Sequence, residues 1–326
     1  MQTQISSPEQ LIAYWERFQE AQQANDFPHR CSSLEQFYAL FAHESDQLKK
    51  SVFLDEKTQG FLSASYDVQN SKHYINFIFV PEEFRRQGIG SKLLREYENY
   101  INSKVESPPI IELSFFNPVN LTWEVPGTLG HDHPNAPGIE MGSPGYYFFQ
   151  NNGFRSFAYQ NSYYLDLENY SVPETINALA TRLAQEGITF EVYDKTTMDG
   201  MDALLEDLDS VLWTRDITYE TSEEGKNRPI IVPLLNNTVY GFTGPLDVQE
   251  SGRGYFAGIG VHSALRGRGV AKVLFSQLCY QLQKLGARYM TLFTGETNPA
   301  RNIYEAAGFR IVKSWADMKK EIKNKR

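Results

Sequence analysis

The sequence predicts a mixed α/β protein built from two similar halves. Short apolar runs typical of strands alternate with amphipathic runs typical of helices. The glycine-containing stretch RRQGIGSKLL (Arg85–Leu94) has a counterpart in the second half, RGRGVAKVLF (Arg266–Phe275). In both, a basic residue and a Gly-x-Gly or Gly-x-Ala turn follow a strand and precede a helix. The 326 residues are enough for about two domains.

Composition and charge are those of an ordinary globular protein. Hydrophobic residues make up 41% and charged residues 22% of the chain, so we expect a large core. The net charge of −9 argues against general nucleic-acid binding. Neither a signal peptide nor an apolar run long enough to cross a membrane is visible. We therefore expect a cytoplasmic protein that binds neither membranes nor nucleic acid.

The first half begins with two helical patterns and continues with strands around the turn. Leu93, Leu94, Tyr97 and Ile101 recur at helical spacing after the turn. The predicted elements are helices over Pro8–Gln23 and Ser33–Lys50, strands over His73–Val80 and Pro109–Phe116, a run ending in Gly-Phe over Tyr146–Phe154, and a closing strand over Phe157–Leu167.

The second half repeats this order after a joining helix, so we place the boundary near Tyr170 and expect domains at 1–170 and 171–326. A helical stripe with a stop at Gly286 follows the second turn, and Cys279 on it is expected to be a small core residue. The predicted elements are helices over Pro173–Gly187, Met201–Tyr219 and Asn298–Phe309, strands over Tyr255–Val261, Arg288–Phe293 and Phe309–Ser314, and a helical stripe formed by Val270, Leu274, Leu278, Leu282 and Leu285.

The first half also carries a long segment rich in proline and glycine, Asn117–Gly145. Segments of this length are usually functional or poorly ordered, and this one is a candidate to reach the cleft of the other half. His131, Asp132 and His133 within it are metal-ligand types. Because no cysteine or further clustered ligand accompanies them, we expect plain surface and no metal.

A strand, a glycine turn and a helix N-terminus together form an anion site. The first N–H groups of the helix lack intrahelical partners, and glycine lets a phosphate approach the backbone closely. A P-loop would need Gly-Lys-Ser/Thr, which neither turn has, and a dinucleotide fingerprint would need a third glycine, which is also missing.

The pattern that does fit, Q/R-x-x-G-x-G/A, is present at Arg85–Gly90 and Arg266–Ala271. It resembles the pyrophosphate-binding motif of the GNAT superfamily of acyl-CoA N-acyltransferases. The order of strand, turn, helix, strand and Tyr-x-x-x-Gly-Phe helix is similar to that family over most of both halves. The stretches WEVPG, HPNAPG and TLFTGETNPARNIYEAAGF resemble an uncharacterised bacterial group of tandem GNAT proteins.

The resemblance implies two tandem GNAT domains, each a central mixed, mostly antiparallel twisted sheet flanked by helices. It implies an acetyl-CoA-dependent N-acetyltransferase in which an amine of a small molecule attacks the thioester directly. The second turn would hold the diphosphate, and backbone N–H groups of the preceding strand would meet the pantetheine and the carbonyl oxygen. The implied cofactor-binding residues are Ile259, Val261, Arg266, Gly267, Arg268, Gly269, Val270, Ala271, Asn298 and Asn302, and in the first copy Arg85, Arg86, Gln87, Gly88 and Gly90.

Tyr304 occupies the position of the family's general acid, five residues before Phe309. A phenol is a suitable proton donor to a departing thiolate. Glu296 is the candidate base, acting through a water. The alternative is that Glu296 is a solvated acid in a loop or a charge at a helix N-terminus. We expect His262 to be a structural or surface residue.

In the first copy Phe149 occupies the position of Tyr304 and has no proton to give. We therefore expect chemistry in the second half and a structural or substrate-shaping role for the first, with or without bound CoA. Two other functions stay open: a non-catalytic protein that binds CoA or a partner, and an acetyltransferase acting on protein N-termini or lysines. Both a monomer and a homodimer fit the sequence.

Overall fold

The computed structural model describes residues 2–3, 5–104, 108–114, 117–221 and 227–322. It forms two compact units, one of Met1–Asn161 with Lys313–Arg326 and one of Ser162–Val312. The first unit therefore includes the last residues of the chain. The domain boundary near residue 170 remains a prediction, and Phe115 and Phe116 of an expected strand lie outside the described residues.

The elements of the first half alternate as expected. They are β1 (Gln2–Thr3), α1 (Ile12–Gln23), α2 (Leu34–Phe41), β2 (Leu48–Asp55), β3 (Gly60–Asp67), β4 (Lys72–Phe79), α3 (Ile89–Asn102), β5 (Ile110–Leu113), β6 (Trp123–Glu124), β7 (Asp132–His133), β8 (Ile139–Glu140), α4 (Pro144–Asn151) and β9 (Arg155–Asp166).

The second half continues this alternation to the end of the described chain. Its elements are α5 (Glu174–Gln185), β10 (Ile188–Val192), α6 (Met201–Leu208), α7 (Val211–Thr221), β11 (Ile231–Leu235), β12 (Thr238–Val239), β13 (Gly241–Gly244), β14 (Arg253–Gly254), β15 (Gly258–Val261), α8 (Val270–Lys284), β16 (Tyr289–Gly295), α9 (Arg301–Ala306) and β17 (Arg310–Glu321).

The sheet of the first unit has the strand order β1-β2-β3-β4-β5, followed by the end of β17 beside β5. All of its neighbours are antiparallel except β4 and β5. The α3 residues Leu93, Leu94, Tyr97 and Ile101 are buried against this sheet, so the expected stripe is confirmed. Aromatic side chains of α1 and α2 form a separate cluster.

Two strands of this sheet separate at the point where the first turn begins. Among the described residues, β4 pairs with β5 only at His73–Ile111 and Tyr74–Glu112. The register between β3 and β4 also shifts there, since Ala64 faces Ile75 whereas Ser63 faces Phe77. Just beyond these pairs, Ile75 O accepts a side-chain hydrogen bond from Asn117 Nδ2 at 3.1 Å.

In the second unit, β10, β11, β13 and β15 form an antiparallel sheet, and β14 pairs in parallel with β16. The expected strand Tyr255–Val261 is interrupted before Gly258, one of the two positions expected to be irregular. The α8 stripe is buried and Cys279 lies in the core, but Leu285 is exposed. Together the two units confirm a mixed α/β fold with sheets flanked by helices.

The predicted helix Ser33–Lys50 is wrong beyond Phe41, because the chain there turns into β2. The last carbonyls of α2 are satisfied by the sheet: Lys50 Nζ donates to Leu40 O at 2.9 Å and Ser63 Oγ donates to Phe41 O at 2.7 Å. Similarly, the predicted helix Met201–Tyr219 is broken at Asp209, which adopts φ 47°. Among the described residues, no helix is long and apolar enough to cross a membrane.

Lys50 should make stability depend on pH. Burial lowers the pKa of its ammonium to about 7, against about 10.4 in an unfolded chain. The unfolded chain therefore binds more protons between these values, so the free energy of unfolding should rise with pH from 7 to 10, by up to about 1.4 kcal/mol per unit. Chemical denaturation at several pH values should show that Lys50→Met removes this slope. An equal slope in the variant would contradict the assignment.

Candidate functional site

The two glycine turns have the same backbone. Gly88 and Gly269 are the N-cap residues of α3 and α8 in left-handed conformations, with φ 83° and 87°. Two residues earlier, Arg86 and Gly267 are also left-handed, with φ 62° and 76°. Neither helix has a capping side chain at its start. Such a side chain would otherwise satisfy some of the first N–H groups of the helix.

The first arginine of each turn ties the turn to the strand before it. Arg85 Nε donates to Val80 O at 3.0 Å, and Arg266 Nε donates to Val261 O at 2.9 Å. The Arg85 guanidinium also donates both Nη groups to Asp26. Arg85 and Arg266 thus have a structural role in the protein itself, and their contact with a cofactor remains a prediction.

Arg86 is the exposed cation of the first turn. A non-glycine residue at positive φ is strained, and such strain is common at functional sites. The second copy has glycine at the equivalent position. Gln87 donates from Nε2 to Glu83 O at 3.0 Å and so helps to close the turn.

A cavity of about 900 Å³ opens beside the first turn, entirely within the first unit. The second half of β4 forms one wall and α4 with the segment before it forms another. The lining includes His29, Asn76, Arg86, Gly88, Gly90, Ser114, Glu140, Tyr147 and Phe149.

The cavity wall also carries polar groups among aromatic side chains. Burial, together with the charges of Lys313 and Arg30, lowers the pKa of His29 to about 3, so this imidazole is neutral at pH 7. His29 Nδ1 and Ser114 Oγ are buried, and neither has a hydrogen-bond partner among the described residues. Glu140 forms an ion pair with Lys313.

The helix α4 presents two aromatic side chains to this cavity in different ways. Phe149, at the position of the family's acid, is buried in the core. Tyr147, two residues earlier, is 54% exposed and lines the cavity. Only the three-dimensional structure identifies Tyr147 as a cavity residue.

The helix α5 lies against one side of the second turn. A Cβ on Gly269 would lie 2.7 Å from Leu179 Cδ2 of α5, whereas a Cβ on Gly88 would meet nothing within 4 Å. Arg182 of α5 donates to Arg268 O at 2.7 Å. Arg268 in turn forms an ion pair with Glu186, the residue after α5. The positive charge of Arg268 is therefore compensated within the protein.

Tyr304 lies inside the aromatic core of the second unit and is only 6% exposed. Its ring contacts Phe275, Tyr163 and Phe256, with centroids 5.0, 5.9 and 6.0 Å away. Burial, with a smaller contribution from Tyr163, raises the pKa of the phenol to about 12.

Three predicted residues around the start of α9 lie at the surface of the second unit. Glu296, Asn298 and Asn302 are exposed, and Asn298 Oδ1 accepts from Ala300 N at 2.9 Å, which is a local turn contact. His262 Nδ1 likewise accepts from Ala264 N at 3.1 Å, the structural role that was expected.

The direction of the N–H groups of β15 agrees with the expected arrangement. His262 N donates to Tyr240 O, on the side of β13. Because N–H groups alternate along a strand, those of Ile259 and Val261 point away from β13. Val270 and Ala271 form the first turn of α8.

The long segment after β5 is ordered and belongs to the cavity wall. β6 and β7 pair as a small hairpin, and β8 contributes Glu140. His133 is buried and stacks on Trp123 with ring centroids 5.4 Å apart, so the expectation of plain surface is wrong for this residue. No group of three metal-ligand side chains occurs among the described residues.

Sequence reasoning missed the segment between α1 and α2. Asp26 and His29 there reach the cavity, although no motif marks them. A cluster of polar and aromatic residues between two helices was the available signal, and such clusters are common in connections without function.

Comparisons with known proteins agree with the architecture. The family described as "Acetyltransferase (GNAT) family" matches residues 11–116 and 198–309. A GCN5-related N-acetyltransferase from Sphaerobacter thermophilus superposes with a TM-score of 0.61 at 16% identity, over 98% of this chain and 94% of that one. No curated protein sequence matches.

Two further structures are similar over nearly the whole chain. A tandem GNAT protein from the clavulanic acid biosynthesis pathway has a TM-score of 0.55 at 15% identity, over 98% of this chain and 97% of that one. A fungal multi-domain GH3 β-N-acetylglucosaminidase with a GCN5-related glucosamine N-acetyltransferase region has a TM-score of 0.60 at 17% identity, over 96% of this chain. This chain spans 37% of that protein.

At these identities the structural similarity shows the fold alone. The family match, by contrast, covers more than half of the chain and falls on both halves. The chain therefore belongs to the GNAT acetyltransferase family and contains two copies of its domain.

Proposed function

We propose that this protein is an acetyl-CoA-dependent N-acetyltransferase acting on an amine of a small molecule, and that acetyl-CoA binds in the cavity of the first unit. The observation that carries the assignment is the contrast between the two turns. Gly88 borders open space beside a cavity, whereas Leu179 covers Gly269. This reverses our expectation from the sequence that the second half carries the chemistry.

The groups at the first turn suit a diphosphate. The N–H groups at the start of α3 carry partial positive charge, and Arg86 adds a full charge beside them. The stretch of β4 between the bulge and Val80 borders the cavity and would hold the pantetheine arm.

The cavity also offers an acid and a base. The amine attacks the carbonyl carbon, the carbon–sulfur bond breaks, and the amine proton passes to Glu140, directly or through a water. Tyr147 donates the proton that the thiolate takes up, in place of the missing phenol at Phe149. Both residues line the cavity in which the proposal places the thioester, and acid–base catalysis requires each to come within hydrogen-bond reach of the reacting atoms.

The polar part of the cavity wall favours a small acceptor with neutral polar groups. His29 is uncharged there, and buried Nδ1 and Oγ atoms of His29 and Ser114 lack protein partners. Unsatisfied buried groups favour ligands that complete their hydrogen bonds. The ion pair between Glu140 and Lys313 offers a carboxylate to the acceptor's ammonium group before its proton is lost.

Non-catalytic CoA binding is the second candidate, favoured by phenylalanine at position 149. Release of free CoA in the presence of a panel of small amines separates the two functions. Labelled acetyl-CoA added to a lysate, followed by mass spectrometry of proteins, tests the remaining alternative of protein acetylation.

Alanine substitutions of the two equivalent glycines should affect different properties. Both residues have positive φ, so each substitution should cost about 1 kcal/mol of folding free energy. Gly88→Ala should weaken acetyl-CoA binding at least about tenfold, equivalent to about 1.4 kcal/mol, because a methyl group enters the open space of the turn. Gly269→Ala should leave binding unchanged and lower the melting temperature further, because its methyl group meets Leu179.

Calorimetric titration with acetyl-CoA and thermal unfolding of both variants provide these measurements, and each variant is the control for the other. Loss of binding in Gly269→Ala with retention in Gly88→Ala would place the co-substrate in the second unit. That result would restore the assignment made from the sequence.

Removing single tyrosine hydroxyls should identify the acid. Tyr147→Phe should lower kcat on the order of a hundredfold with little change in the KM for acetyl-CoA, because the proton is needed only as the thiolate leaves. The matched variant Tyr304→Phe should retain activity. The opposite pattern in steady-state CoA release with the best amine of the panel would contradict the role of Tyr147 and support that of Tyr304.

A further inference from the structure

The bulge in β4 contains one residue that has no partner on β3. Ala64 faces Ile75 and Ser63 faces Phe77, so Asn76 is the inserted residue. A bulge leaves its inserted residue without a partner in the hydrogen-bond ladder and changes the direction of the strand. Asn76 lines the cavity at the point where β4 and β5 have separated.

The side chain of Asn76 is held by the two serines that flank Ala64 on β3. Ser65 Oγ donates to Asn76 Oδ1 at 2.8 Å, and Asn76 Nδ2 donates to Ser63 Oγ at 3.0 Å. Ser63 Oγ in turn donates a hydrogen bond to Phe41 O, at the end of α2. These three side chains are 5% exposed or less.

We propose that Ser63, Ser65 and Asn76 form a latch that fixes the bulge and thereby aims the backbone N–H groups of β4 beyond the bulge at the thioester oxygen of acetyl-CoA. Asn76 is in this sense a positioning residue. The proposal rests on the proposed function, since it requires acetyl-CoA in the first unit.

The energetics of buried polar groups explain why the latch holds one register. A one-residue slip of β4 would turn the side chains after the bulge to the opposite face of the sheet. It would also separate Asn76 from both serines and leave buried donors and acceptors without partners, which is costly. The network thus makes the bulged register the only well-satisfied one.

The second copy lacks this device. With Val80 aligned to Val261, the position of Asn76 is occupied by Ala257. β13 and β15 pair from Gly241–Val261 to Gly244–Gly258 without a register shift. The side chain of Phe256, one residue earlier, packs on Tyr304 and Phe275. The latch therefore occurs only in the copy whose turn is open.

The latch and the turn should be separable in experiments, because they act on different parts of acetyl-CoA. Loss of the latch should leave the diphosphate contacts intact and affinity within about threefold of the wild type. It should weaken only the hydrogen bonds to the thioester oxygen, which polarise the carbonyl and lower its stretching frequency.

Infrared difference spectroscopy with acetyl-CoA labelled by ¹³C at the thioester carbonyl measures this polarisation without an amine acceptor. In the wild type we expect a band at lower frequency than in water. Ser63→Ala and Asn76→Ala should each remove at least half of that shift. Ser63→Thr, which keeps the hydroxyl group, should retain the shift, and Ser51→Ala on the neighbouring strand is the matched control.

Calorimetric titration of the same samples distinguishes the two ways in which the proposal fails. If the wild type does not bind acetyl-CoA, both the proposed function and the latch are overturned. If it binds but its band is unshifted, or if Ser63→Ala and Asn76→Ala both keep the full shift while remaining folded, the latch alone is overturned. If Asn76→Ala fails to fold, the Ser63→Ala variant alone decides the test: a full shift in a folded Ser63→Ala protein that binds acetyl-CoA overturns the latch.

Discussion

The function proposed for this protein depends on a small set of unpaired backbone N–H groups at the start of α3. They are available because Gly88 takes a left-handed conformation that ends the turn and starts the helix without a capping side chain. A helix start of this kind attracts anions through its orphan donors and the helix dipole. The proposed function assigns a role to three further features because they lie beside this turn. They are the bulge in β4, the separation of β4 from β5 and the charge of Arg86.

The two copies share the motif but differ in what surrounds it. Gly269 and Gly88 have nearly the same φ, 87° and 83°, and Gly267 and Arg86 are both left-handed. However, Leu179 lies against Gly269, and Glu186 forms an ion pair with Arg268. In the proposed function, the first turn binds the diphosphate, whereas the second turn packs against α5.

The sequence predicted the local parts of this structure well. The turns, the stripes of α3 and α8 and the strands next to them follow from spacing and from glycine positions, which are local properties. The chain between Ala42 and Lys50 was misassigned, because Lys50 and Ser63 end α2 through contacts with the sheet that local propensity does not encode. The strand β3 was missed for a similar reason: its polar residues Ser63 and Ser65 obscure a buried strand.

The sequence alone does not lead to the first copy as the site of the proposed function. Tyr304 has the right spacing from Phe309, but spacing does not reveal that Phe256, Phe275 and Tyr163 surround it. Leu179 and Gly269 are far apart in the chain, so their contact is a tertiary property. Likewise, Tyr147 and Glu140 become candidate catalytic residues only because the cavity brings them beside the separated strands.

The most direct test of the central claim is a crystal structure of the protein with acetyl-CoA. We predict that the diphosphate oxygens accept hydrogen bonds from the backbone N–H groups that follow Gly88, with α5 still lying over Gly269. A diphosphate bound at Gly269 with Leu179 displaced, while the cavity beside Gly88 stays empty, would contradict the assignment of the first unit.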